Sequence, residues 1–342
     1  MAVADATPAV RRRLAGLTFR PVWLALAVVA AVHLLGATVP VTARYGLLLA
    51  TLVALGLPHG AVDHLTVPRA RGEWPTLRWL AGFCVAYLTV AAAYTVGWFL
   101  APMACFLGFI ALTWFHWGQG DRAHLAVIAD APHLKSRWRS RATILVRGGL
   151  PMLVPLLAFP DRYREVLLTA VSLFGRSGEW VGPLFATGTR LTLGAGFALA
   201  TVGTLAAGYR AAGDTDAWRV DAGETALLWA YFLTVPPVLA IGLYFALWHS
   251  LRHLVRLLAL DDQAVTAVDR GADLRAAWRL VRDATPLTVA SLLIFGGLAL
   301  LVPDPPGTIA GLGGLYLVLL AVLTLPHVLV VSYLDRLQGV VG

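Results

Sequence analysis

Leu247-Trp248-His249-Ser250-Leu251-Arg252-His253 closes an apolar stretch, residues 224–257, that is otherwise long enough to cross a bilayer. A hydrocarbon core about 30 Å thick needs about twenty apolar residues to span it. Imidazole is costly to bury there, so a histidine pair within a span is by default a functional site. Four residues apart on a helix, two side chains share a face about 6 Å apart along the axis. That spacing lets two imidazoles reach one metal ion, which makes His249 and His253 candidate ligands.

Stretches of the same character occupy residues 22–38, 45–65, 77–99, 103–125, 180–208, 284–302 and 308–334. The chain is 58% hydrophobic and 13% charged, with a mean hydropathy of +0.74. A soluble domain is nearer a quarter charged. The fold expected is therefore all-α, a polytopic transmembrane helical bundle of about eight crossings. Residues 1–21 form a basic N-terminal segment and residues 22–336 a single transmembrane catalytic domain. Pro151, Pro155 and Pro160 interrupt segment 147–178, which reads as re-entrant or interfacial with a short helix over Tyr163–Phe174.

The net charge of +8 comes almost wholly from arginine, Lys135 being the sole lysine. These basic residues fall in short loops between spans, where they set orientation and need no nucleic acid as partner. Arg11, Arg12, Arg13 and Arg20 put the N-terminus on the cytoplasmic side of the cell membrane. Arg69 and Arg71, Lys135 with Arg137, Arg139 and Arg141, and Arg270, Arg275, Arg279 and Arg282 mark further inside loops. The first span lacks a clear cleavage site and is expected to be retained. These assignments interlock only if 147–178 makes no net crossing, giving eight or ten crossings. His59, His116, His249 and His327 then fall at one depth, toward the cytoplasmic ends of their spans. Cys84 and Cys105 lie within apolar segments without ligand spacing and read as small core residues.

Pro58 precedes His59 and frees a backbone carbonyl one turn earlier, while Gly60 allows a neighbouring helix to approach. Asp63, four residues on, can accept a hydrogen bond from His59 or from a ligand on another helix and so fix a tautomer. His64 points away by about 140° on a regular helix. His116 is bracketed by Trp114, Phe115 and Trp117, with Gly118, Gly120 and Asp121 following. His327 repeats the Leu-Pro-His sequence of His59; ligand, partner of a ligand and packed core residue stay open for it. His33 is expected to hydrogen-bond another helix, and Arg252 and Arg256 to snorkel toward water. His124 and His133 fall in or near a basic loop and receive no role.

An all-nitrogen site without thiolates suits iron, copper or zinc, and carboxylates within the spans look scarce. A redox metal near the bilayer face, reached through aromatic and Gly-rich helices, points to a lipid-soluble substrate. A dimetal desaturase or hydroxylase, a b-type cytochrome and a metal or proton carrier are the rival readings.

The motifs Pro58-His59-Gly60-Ala61-Val62-Asp63, Phe115-His116-Trp117-Gly118, Trp248-His249-Ser250-Leu251-Arg252-His253 and Pro326-His327 resemble those of the Brp/Blh family. These are membrane β-carotene dioxygenases that supply retinal to microbial rhodopsins, and the resemblance runs from about the second span to the last. It implies a non-haem Fe(II) centre held by His59, His116, His249 and His253, with O2 and β-carotene as substrates. His327, His64, Asp63 and Asp121 would support the ligands or add to them. Trp114, Phe115, Trp117, Tyr244, Phe245 and Trp248 are candidate tunnel walls. Lys135 lies in a polar, arginine-rich loop, a poor place for a retinal Schiff base.

Overall fold

A helix apolar on every side can sit only in hydrocarbon or at the centre of a bundle, and this chain has both kinds. The computed structural model describes residues 8–176 and 181–339. Residues 1–7 of the basic segment and residue 180, where one span was expected to begin, lie outside the described residues. In chain order the helices are α1 (Pro8–Thr18), α2 (Arg20–Leu34), α3 (Val41–Thr51), α4 (Leu57–Ala61), α5 (Asp63–Ala70), α6 (Leu77–Leu100), α7 (Pro102–Val127), α8 (Arg137–Ala158), α9 (Pro160–Ser172), α10 (Gly182–Phe185), α11 (Thr187–Ala212), α12 (Asp216–Thr234), α13 (Pro237–Leu243), α14 (Leu251–Leu258), α15 (Asp262–Asp269), α16 (Asp273–Leu301) and α17 (Ile309–Leu337). Wide π turns at Leu52–Gly56 and Tyr244–Ser250 join α3 to α4 and α13 to α14, so each pair runs on as one rod.

Among the described residues, eight helical rods are long and apolar enough to cross a membrane. The chain is a multi-pass membrane protein. Three rods form the middle: α13–α14, α8 and α17 are 72%, 67% and 61% buried over their apolar windows. Outside them α6 and α16 are only 11% buried and present leucine, valine and alanine to the surroundings. α7 has 26 residues and α12 has 19, lengths that also suit a crossing, but both carry buried charge into the bundle.

The structure departs from the expected spans where proline acts on its neighbour. Stretch 224–257 is two elements, because Val235 and Pro236 are extended and Pro237 starts α13. A residue before proline is pushed out of the helical region, and proline itself suits a first helical turn. In segment 147–178, α8 runs unbroken through Pro151 and Pro155 and stops at Phe159 before Pro160. The short helix expected at 163–174 is α9, a few residues earlier. α16 begins at Asp273, eleven residues before the apolar run that announced it, and continues through Pro286.

The tightest crossing joins α7 to α8. A Cβ on Gly118 would run into the Ile144 carbonyl, and one on Gly148 into the Trp114 carbonyl. Backbones this close are the use of small residues in membrane bundles, where helices gain contact by approach rather than by expelling water. Gly148→Ala is expected to lower stability by about 1–3 kcal/mol, the usual cost of overpacking. Gly46→Ala, where the added carbon meets nothing within 4 Å, is expected to cost little. Thermal unfolding of the two variants in detergent checks the contrast.

Candidate metal centre

Five imidazoles meet inside the bundle: His59 from α4, His116 from α7, His249 from the second π turn, His253 from α14 and His327 from α17. Ring centroids of His59 lie 4.9 Å from His327, 5.4 Å from His249 and 5.7 Å from His253. His116 lies 4.8 Å from both His249 and His327, and His253 5.2 Å from His327. All five are buried, at 2–7% exposure.

Backbone geometry delivers them. A π turn inserts a residue into the helical ladder and is common at functional sites. One π turn ends at Gly56, whose carbonyl accepts the Nδ1–H of His59. The other contains His249, so the regular i, i+4 relation with His253 does not apply; the two flank His59 instead of stacking directly. Gly120 leaves room for the His249 ring, since a Cβ there would lie 3.4 Å from it. The two Leu-Pro-His segments face one another, and Gly60 lies against His327. Helix α17 passes through Pro326 without breaking.

Two of the rings have a fixed tautomer. His327 Nδ1 donates to Asp63 Oδ2 at 2.7 Å, and His59 Nδ1 donates to Gly56. In a neutral imidazole the other nitrogen then carries the lone pair, which is the form a metal needs. His327 Nε2, His253 Nε2 and His116 Nδ1 are buried without a hydrogen-bond partner. His249 Nε2 and His116 Nε2 stand 3.1 Å apart. That distance suits one shared proton or two ligands of one ion, for which bonds of about 2.1 Å give separations of roughly 3–3.4 Å. Nitrogens of His59, His116 and His249 lie within 4.8 Å of one another, as do donor atoms of Asp63, His253 and His327.

The remaining predicted residues are elsewhere. His64 bonds the carbonyl of Ala61 in its own segment and stays outside the cluster. Asp121 is engaged by other groups; it accepts from Trp248 Nε1 at 2.8 Å and pairs with Arg147 and Arg252 at 3.0 and 3.3 Å. Trp117 and Phe245 line the cavities beside the cluster. Phe115 is 43% exposed on the outer face of α7, and Trp114 donates to the Leu145 carbonyl at 2.8 Å against α8. Tyr244 and Trp248 are buried and stacked on one another, and line neither cavity. His33 bonds Val29 in its own helix, not a neighbouring one. His124 and His133 are buried, beside Thr18 and Asp221 respectively.

Arg252 and Arg256 do not snorkel. They are 3% and 8% exposed and tied to carboxylates, Arg256 to Asp335 at 2.5 Å. Arg252 and Arg147 share Asp121 and Glu224, forming a sealed group of two cations and two anions. Trp23 Nε1 adds a bond to Glu224 at 2.7 Å, and the Arg252 guanidinium lies 3.8 Å over the Trp248 ring. Carboxylates are thus more numerous inside than the sequence implied, but these are committed to arginine. Arg147 and Glu224 were visible as charges inside apolar stretches, the signal by which such a group is found.

Two apolar spaces adjoin the cluster. One, of about 230 Å³, is bordered by His59, His116 and His327. The other, of about 100 Å³, shares Trp117, Phe245 and Leu320 with the first and extends to Tyr45 and Gly314. A smaller polar crevice borders His249 and His253 along with Asp121, Arg252 and Arg256.

The model of the family "Beta-carotene 15,15'-dioxygenase" matches residues 50–335. This chain belongs to that family. It is 46% identical to a Halobacterium salinarum protein named "Probable beta-carotene 15,15'-dioxygenase Blh", over 99% of this chain and 98% of that one. It is 35% identical to the same organism's "Probable beta-carotene 15,15'-dioxygenase Brp", over 89% of this chain and 87% of that one. No solved structure matches. In this member of the family all five clustered histidines fall within the matched span, as does the charge group beside them.

Removing one partner of a buried ion pair leaves a charge without its counterion, at a cost of about 3–5 kcal/mol. Glu224→Gln is expected to lose that much stability in chemical unfolding in detergent. Glu165→Gln breaks the exposed pair with Arg162 and is expected to cost under about 1 kcal/mol.

Proposed function

We propose that the protein cleaves the central double bond of β-carotene with O2, giving two molecules of retinal, at an Fe(II) ion held by His59, His116, His249 and His253. The observation that carries this reading is the buried convergence of five imidazoles beside two apolar cavities that share Trp117, Phe245 and Leu320 in their walls, in a chain of this family. The donor set fits a metal. His59 and His327 turn lone pairs away from their backbone and Asp63 partners, and His253 has a buried nitrogen that nothing else satisfies. Neutral imidazoles suit iron and leave positions for a small ligand. Iron, when bound, would supply the redox chemistry with O2 that side chains lack.

The chain's own residues account for the rest. The apolar linings, with Trp117 and Phe245 common to both cavities, exclude water and hold a long polyene beside the cluster. Asp63 keeps His327 in one orientation, with its Nε2 available as a further donor. The products balance: the carbon–carbon double bond and O2 are consumed, and each carbon leaves as an aldehyde bearing one oxygen. Lys135 is exposed, so retinal has no buried amine to form a Schiff base with.

A second reading has one observation in its favour. The donor atoms divide into two sets of three, His59/His116/His249 and Asp63/His253/His327, which would also suit two ions. In the second set Asp63 Oδ2 accepts from His327 Nδ1, and Asp63 Oδ1 is the buried oxygen left without a partner. Metal analysis of the purified protein decides between one and two irons per chain.

Expression in a β-carotene-producing bacterium, followed by chromatography of the pigments, tests the reaction. Retinal should replace β-carotene; intact β-carotene beside folded, iron-loaded protein would refute it. His249→Ala and His253→Ala are each expected to abolish cleavage and lower bound iron while the protein stays folded in the membrane. Asp63→Asn is expected to weaken metal affinity by about 10–100-fold, as loss of a partner to a ligand does. Titration with a competing chelator reads that change without reference to turnover.

A further inference from the structure

The larger cavity is built asymmetrically. Its inner wall is His59, His116 and His327, all buried, while its outer edge is Phe83, Cys84, Tyr87 and Leu88 of α6 and Leu287, Ala290, Ser291 and Ile294 of α16. The residues of this edge are half-buried or exposed, and they belong to the two least buried spans of the bundle. Helix α6 packs on α17 and α7, and α16 packs on α4, α15 and α17, but the two hardly touch each other. Both lean on α17, to which Tyr87 Oη donates through the Leu323 carbonyl at 3.1 Å. A gap between neighbouring spans, floored by a third and apolar at its rim, faces lipid and not water. No ionisable group other than the Cys84 thiol and the Tyr87 phenol lies on that rim.

We propose that this gap is a lateral portal, through which a hydrocarbon substrate passes from the bilayer interior between α6 and α16 to the histidine cluster. The proposal rests on the carotenoid-cleavage reading and adds its route. A polyene has negligible solubility in water, so a path from the aqueous loops would require it to leave the membrane first. The polar crevice at His249 and His253 is small and flanked by Arg252 and Arg256, the wrong lining for such a molecule. The apolar gap leads straight to His59 and His327.

The natural Cys84 supplies the test. In a Cys105→Ala background, Ser291→Cys places a second thiol on the opposite side of the gap. A reducible bifunctional thiol reagent should bridge Cys84 to the new thiol, detected as an intramolecular mass addition in the intact protein. The bridged protein is expected to lose cleavage of β-carotene supplied in lipid vesicles, to keep its iron and to regain cleavage on reduction. Bridged protein that cleaves at the unbridged rate overturns the portal. Alkylation of Cys84 by a membrane-permeant maleimide gives a readout that needs no turnover. β-Carotene in the vesicles should slow it, in a His249→Ala variant as well; unchanged alkylation there counts against the portal. Slowed alkylation in a protein that never forms retinal would uphold the portal while refuting the cleavage reaction.

Discussion

Arg147, Arg252, Asp121 and Glu224 are sealed in a bundle whose surroundings offer almost no water, and much of the architecture follows from keeping them together. Moving one charge out of water costs several kcal/mol even after relaxation, so each must find its counterion or the helix that carries it cannot be buried. The four residues come from α7, α8, α12 and α14, and Trp23 brings in α2. Such a group is satisfied only when those helices are in register. It therefore fixes α14, and with it His253, relative to α7, which carries His116. Arg252 lies between His249 and His253 in sequence, so one short segment carries a member of the charge group and two of the imidazoles, and all three border the same polar crevice.

The histidines obey the same constraint in a weaker form. A buried neutral imidazole needs a partner for its N–H and another for its lone pair. His59 and His327 place their N–H groups on Gly56 and Asp63. Their lone pairs are left for the centre of the cluster. The wide turn before His59 and the one around His249 do what a straight helix cannot, presenting donors inward without sacrificing the apolar outer face of the rod. A protein that gathers imidazoles inside a membrane bundle gains from such local distortions, because irregular backbone is tolerated there only where other protein groups surround it.

The cluster also separates two environments. One apolar cavity borders His59, His116 and His327, and a small polar crevice borders His249 and His253. An apolar space and a polar space beside charged residues thus reach the cluster from different sides, through different imidazoles. Trp117 and Phe245, stacked with ring centroids 5.6 Å apart, line both apolar spaces.

The sequence by itself determined that the chain is an all-helical membrane bundle, because hydrocarbon demands long apolar helices and leaves few other options. It also marked His59, His116, His249, His253 and His327, since an imidazole in an apolar run stands out against its surroundings. Segment boundaries at Pro160 and Pro237 were encoded too, but Pro151, Pro155, Pro286 and Pro326 have the same letter and lie inside unbroken helices. Only the packing of neighbours distinguishes them. Likewise Arg252 and Arg256 have the composition of snorkelling side chains, and only the tertiary structure brings Asp121, Glu224 and Asp335 within reach to keep them buried. The partner of Asp63 was undecidable in one dimension for the same reason: His327 is distant along the chain and adjacent in space. Spacing along a chain specifies which residues share a helix face; which face meets which is set by satisfying every buried charge and ring nitrogen at once.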